Sequence, residues 1–179
     1  NQIGLSIQNA GLFSKARQRL AELTALHSID FAVTAHLDRE KTLAVVLDQA
    51  MLQLGADAVD ILLLNAQSGE LSYAMGLGFI TQVSRFTTLT SGESLAGKAV
   101  AEKRMIQMLN LRKDGPDFFK IGDWAKEGFS GYVGVPLIAE GKIIGVMEVF
   151  QRSVLSPDAD WLRFLDLLAG QAAIAVDQI

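Results

Sequence analysis

Residues 131–150 read GYVGVPLIAEGKIIGVMEVF. Two apolar runs rich in β-branched residues, Tyr132 to Ile138 and Ile143 to Phe150, flank Glu140 and Gly141, residue types that a tight hairpin turn accepts. The segment predicts two antiparallel central strands. Val133, Val135 and Leu137 fall on one side of the first strand, and Gly134, Pro136 and Ile138 on the other. With no clean alternation of polar and apolar positions, the sheet is expected to be covered on both faces. Pro136 has no N–H to offer a ladder, so its strand should meet a bulge or an opening there.

Working outward from the hairpin, Ser156, Pro157, Asp158 and Asp160 form a helix start, with Ser156 as the expected N-cap. The stripe Trp161, Leu165, Leu168, Ala172, Val176, Ile179 then runs to the last residue, so the helix is expected to continue beyond it. Ala169, Gly170, Ala172 and Ala173 would allow close approach to another helix. On the other side, Asn110 to Ser130 shows no strong period but carries Phe118, Phe119, Trp124 and Phe129. Connections of that length are functional or mobile, and the aromatics imply that this one folds back on the domain.

Earlier in the chain, 105–109 predicts a short strand, and 91–104 a short helix with Ser94 a better N-terminal signal than Ser91. Residues 79–84 are compatible with a helical turn before an extended 85–89. The runs 58–65 and 70–75 predict paired strands. Asp60 is the odd polar residue inside the first, expected at a hydrogen-bonded or solvated position because no partner acid is visible beside it. Asp38 as N-cap, Glu40 and the face Leu43, Val46, Leu47, Ala50, Met51, Leu54 predict a helix closed by Gly55. Before it, Phe13, Ala16, Leu20, Leu23, Leu26, Ile29, Val33 and Leu37 make seven steps over 24 residues, about 3.4 per step, which suits a helix pairing with another helix or lying on its own sheet. The domain plan is thus a flexible lead-in over 1–12, a helix over 13–37 suited to pairing with another helix, and one folded domain over 38–179.

A net charge of −4 without a Lys/Arg cluster argues against nucleic-acid binding. The absence of cysteine excludes disulfides, thiolate metal sites, iron–sulfur ligation and a cysteine nucleophile. No apolar run approaches the roughly 20 residues of a membrane span, so no membrane contact by this segment is expected and the cytoplasm is the expected compartment. Asn1 in place of an initiator methionine suggests a piece of a longer protein.

The pattern G-V-P-L at 134–137, a polar turn, then I-I-G-V-M-E-V at 143–149, with Gly92 and Gly97 around a short helix, resembles a GAF domain, the small-molecule-binding regulatory module of signalling proteins. The resemblance covers about residues 20–177. It implies an α+β domain of three layers: a mostly antiparallel six-stranded sheet, the N- and C-terminal helices on one face, and short helices and loops over a pocket on the other. It also implies a homodimer through the terminal helices and a signal passed to an attached output domain. The closing segment from Glu148 to Val176 looks most like GAF domains of bacterial histidine kinases, diguanylate cyclases or HD-GYP phosphodiesterases.

Several chemistries of that family do not fit these residues. Bilin attachment and methionine sulfoxide reduction use cysteine, which is absent. Haem ligation needs a pocket histidine, whereas His27 and His36 precede the domain. The cyclic-nucleotide pattern N-K…F-x-x-x-D-E is replaced by Gln151, Arg152, Leu155, Ala159 and Asp160. No cofactor is expected. A non-covalent ligand would have Phe118, Trp124 and Tyr132 as apolar walls and Asn110, Arg112 or Glu148 as polar anchors. The alternatives are that these rings plug the face and the domain relays without a ligand, and that Glu148 points to a rim. No spacing brings a nucleophile to a base, so an enzyme is not expected.

Overall fold

The computed structural model describes residues 2–34, 39–82, 89–90 and 94–177. The hairpin at 131–150 is its centre. Strands β5 (Gly131–Ala139) and β6 (Lys142–Gln151) pair antiparallel across a two-residue turn in which Glu140 and Gly141 both have positive φ, 48° and 77°. Two successive positive φ values give the turn whose twist matches that of the strands. A register shift falls between Leu137 and Ile138, and pairing with β4 (Ile106–Met108) ends at Gly134, so Pro136 borders both a bulge and an open edge. With β1 (Ala58–Leu64), β2 (Glu70–Leu77) and β3 (Leu89–Thr90), these strands form a six-stranded sheet in the order β3-β2-β1-β6-β5-β4, each neighbouring pair antiparallel.

Alternation along the central strands sends side chains into two separate cores. Val59, Ile61, Val133, Val135, Leu137, Met147 and Val149 pack against α1 (Gln2–Thr34), α2 (Arg39–Leu54) and α6 (Ala159–Asp177). Ala58, Leu62, Tyr132, Val146 and Phe150 pack against α3 (Leu95–Glu102) and the segment holding α4 (Leu111–Asp114), a 3-10 turn (Asp117–Lys120) and α5 (Gly122–Glu127). The α+β three-layer plan is therefore present.

Leu43, Val46, Leu47, Ala50 and Leu54 of α2 are buried, and Gly55 follows with φ 62°. In α6, Leu165, Leu168 and Ala172 are buried together with Ala169 and Ala173, whose small side chains let the helix lie close on the sheet. Its N-cap is Asp158 rather than Ser156: the helix begins at Ala159, two residues further on than a Ser156 cap requires, and the Asp158 carboxylate accepts from Trp161 N at 2.7 Å. Trp161 in turn donates its indole N–H to Leu54 O, tying α6 to the end of α2.

Residues 2–12, expected as a flexible lead-in, belong to α1. Gly4 and Gly11 each disfavour a helix by about 1 kcal/mol relative to alanine, but they are spread along a 33-residue helix without proline. The apolar stripe of α1 divides. Ala25 and Ile29 are buried against the domain, while Phe13, Leu20 and Leu23 stay exposed. The side chains of Val33 and Leu37, the Asp38 cap, His36, Ser91 and Gly92 lie outside the described residues. Residues 79–82 form an irregular loop and not a helical turn.

Ser94 caps α3, its hydroxyl accepting from Gly97 N at 2.9 Å. Ser94→Ala is expected to lower stability by about 1 kcal/mol in urea titration, because it leaves that buried N–H without a partner. No described helix is long and apolar enough to cross a membrane.

Candidate functional site

On the face away from the terminal helices, one row of residues crosses four strands: Gly76 on β2, Asp60 on β1, Glu148 on β6 and Gly134 on β5. Asp60 and Glu148 therefore stand side by side, both buried. The partner acid of Asp60 is therefore Glu148, one strand away and far along the chain, beyond the reach of any local sequence signal. Glu148 does not reach a rim; its strand is central, so its side chain ends inside the domain.

The two glycines keep this row open to its neighbours. A Cβ at Gly134 would run into the Tyr132 hydroxyl, so the missing side chain is what lets the Tyr132 ring fold over β5. From there Tyr132 donates to Glu148 Oε2 at 2.5 Å. A Cβ at Gly76 would meet Asp60 Cβ at 2.9 Å. Burial, opposed by hydrogen bonds from Tyr132 and Asp60, pushes the Glu148 carboxyl up to about 7. Burial, reinforced by the charge of and a hydrogen bond to Glu148, holds Asp60 well above the ordinary carboxylate range, and burial likewise raises Tyr132. The pair keeps a proton near neutral pH because two adjacent carboxylates cannot both ionise in an apolar layer. Asp60 Oδ1 is the one buried side-chain oxygen or nitrogen without a hydrogen-bond partner among the described residues.

Beside this row the rings pack on one another. Phe129 stacks on Phe150 at 4.7 Å, Phe118 lies 4.2 Å from Phe119, Trp124 meets Phe119 edge-on at 5.0 Å, and Tyr132 meets Phe150 at 5.3 Å. Phe118, Trp124 and Tyr132, expected as walls, are indeed brought together, but they fill the face with one another. Asn110 is occupied in capping α4, accepting from Lys113 N. Arg112 is exposed in the first turn of α4 and lines a cavity that Glu148 does not.

That cavity, of about 240 Å³, lies among α4, the 3-10 turn and α5 and is lined by Leu111, Arg112, Phe119, Lys120, Ala125, Gly128 and Phe129. Another, of about 310 Å³, opens where the chain leaves β2, between Tyr73, Gly76 and residues 77–82. The loop forming it is held by Glu127, whose buried carboxylate accepts from Ile80 N (3.0 Å), Thr81 N (2.7 Å), Thr81 Oγ1 (2.6 Å) and Arg152 Nη2 (3.1 Å). Arg152 also donates through Nε to Glu127 O and through Nη2 to Gly78 O, takes its backbone bond to Asp57, and lies over the Phe129 ring. Glu127 and Arg152 received no notice in the sequence as a pair; only the fold brings the end of α5, the exit of β2 and the exit of β6 to one point.

Comparison with known proteins agrees with this architecture. A family model described as GAF domain matches residues 36–177. The GAF domain of a phosphoenolpyruvate-protein phosphotransferase from Coxiella burnetii is 22% identical, with a TM-score of 0.76, covering 88% of this chain and 93% of that one. The GAF domain of an Acinetobacter phosphoenolpyruvate-protein phosphotransferase is 17% identical at a TM-score of 0.71, covering 87% and 92%. Free methionine-R-sulfoxide reductase from Neisseria meningitidis, determined with its substrate, is 21% identical at a TM-score of 0.71, covering 86% and 87%. At these identities the likeness is one of fold. No curated protein matches the chain.

Proposed function

The chain belongs to the GAF family, and from that premise we propose that it is a regulatory sensor module that binds a small molecule non-covalently and passes the event through its terminal helices to an output domain. The observation that carries this reading is the division of the sheet. The two cavities described above lie in the cover of one face, whereas α1, α2 and α6 occupy the other, where a more open groove of about 510 Å³ runs between α1 and α2. The β6 strand is shared: Glu148 and Phe150 face the cover, Met147 and Val149 face the helices, and the strand leads into α6. A ligand that prefers one arrangement of the cover would bias the helices by its difference in affinity for the two states, and by no more than that. An output domain of histidine kinase, diguanylate cyclase or HD-GYP phosphodiesterase type is the proposed receiver, and the exposed Phe13, Leu20 and Leu23 of α1 are the proposed dimer surface.

A second reading, a relay domain without ligand, is favoured by the packed rings of Phe118, Phe119, Trp124, Tyr132 and Phe150. A thermal-shift panel of metabolites and nucleotides separates the two. A compound present at about ten times its Kd should stabilise the protein by about 1.4 kcal/mol, a rise of roughly 3–6 °C. If no class of compound moves the melting temperature while removal of residues 1–30 abolishes dimerisation, the relay reading stands. We read the domain as non-catalytic, and steady turnover of any substrate by the purified protein would overturn that.

A further inference from the structure

We propose that the cavity among α4, the 3-10 turn and α5 is an anion seat, taking a carboxylate carried on a compact apolar body, with Arg112 as its counter-charge. The proposal rests on the sensor reading and narrows its ligand class. Leu111, Phe119 and Phe129 are buried and give the cavity an apolar floor, and Ala125, with its short side chain, leaves the wall of α5 low. Every ionisable residue lining it is basic: Arg112 and Lys120. Lys120 is drawn toward Asp117, with which it pairs at 3.0 Å. Arg112 makes no ion pair or hydrogen bond with any described residue, so the mouth carries one uncompensated positive charge in the form of a planar guanidinium.

That geometry selects among ligands. A guanidinium offers paired parallel N–H donors that match the two oxygens of a carboxylate, which an alcohol or an amine cannot return. The volume, about 240 Å³, lies below that of pockets for drug-sized ligands, and so suits a single ring or a branched chain and not a nucleotide. The other cavity, beside residues 77–82, has no charged residue in its lining. The inner row of the same face carries Asp60 and Glu148 and no basic side chain, so it offers an anion no counter-charge.

The test uses the whole chain with benzoate, and with benzyl alcohol and benzylamine as neutral and cationic counterparts, followed by titration calorimetry and ligand-observed NMR. Benzoate should bind saturably and at least about tenfold more tightly than benzyl alcohol, weakening as salt is added. Arg112→Gln should remove that preference with no change in melting temperature, since Arg112 is exposed. Ala125→Phe should close the cavity to all three probes. Equal binding of benzoate and benzylamine, benzoate affinity unchanged in Arg112→Gln, or no binding of any probe would overturn the anion seat. A compound from the metabolite panel that still shifts both variants would overturn it while leaving the sensor reading intact; a protein that no compound shifts would overturn both.

Discussion

Glu127→Ala is expected to destabilise the domain by about 3–5 kcal/mol, the range found when one partner of a buried ion pair is removed. The magnitude follows from what is left behind. Glu127 accepts four hydrogen bonds, so its removal leaves Arg152 facing an emptied site and the N–H groups of Ile80 and Thr81 without their acceptor. In urea titrations the midpoint should fall with the slope unchanged, and the melting temperature should drop by roughly 6–20 °C. A second readout is local. Amides 78–82 should lose hydrogen-exchange protection before β2 does, because this carboxylate accepts from both Ile80 N and Thr81 N. A loss below about 1 kcal/mol would mean that the loop is held by something else.

The same carboxylate shapes the acid limb of the stability curve. Burial alone would raise its pKa, but the hydrogen bonds from Thr81, Ile80 and Arg152 outweigh burial and hold it below the ordinary glutamate range. A group with a lowered folded-state pKa contributes stability above its unfolded value and loses it as pH falls through the folded one. Glu127→Gln should therefore lower the neutral and alkaline plateau, where the ionised carboxylate contributes, and flatten the acid limb, while the shape of the alkaline side stays as it was.

How much of this was legible beforehand follows from how local each signal is. The hairpin, the turn at Glu140 and Gly141, the apolar faces of α2 and α6 and the Ser94 cap depend on residues a few positions apart, and the structure has them where periodicity and cap chemistry place them. The helices between Asn110 and Ser130 were not separable because four to six residues complete too little of a turn pattern to show a period. The start of α1 was misread for the opposite reason: two glycines outweighed, in a short window, what a long helix tolerates. The site depended least on local signals. Tyr132 and Glu148 stood out as a ring and an acid in central strands, yet their bond, and the place of Asp60 beside them, require the register of β1, β6 and β5. The Glu127–Arg152 pair left no local trace, since nothing near either residue in sequence announces its partner.

Raising the pH from about 5 to about 8 is expected to cost the folded state on the order of 2–3 kcal/mol through the Asp60–Glu148 pair. Glu148 moves from an ordinary value of 4.5 to about 7 on folding, and Asp60 moves in the same direction. The folded domain thus binds protons that the unfolded chain has released, so stability is complete below the ordinary carboxylate range and declines as pH climbs through about 7. The direction is opposite to that of Glu127, and the two windows do not coincide. Glu148→Gln separates them. A glutamine can still accept from Tyr132 and can donate to Asp60, but it carries no charge, so Asp60 then ionises without a like-charged neighbour. The variant should melt above the wild type at about pH 8, lose the part of the alkaline decline that Glu148 carries while burial of Asp60 maintains the rest, and keep the acid limb. If it instead melts below the wild type at every pH with the same slope, the pair is not where the proton resides. Tyr132→Phe supplies the control: it removes the donor to Glu148 but keeps the ring over Gly134, so it should deepen the alkaline decline by withdrawing the bond that favours the ionised carboxylate.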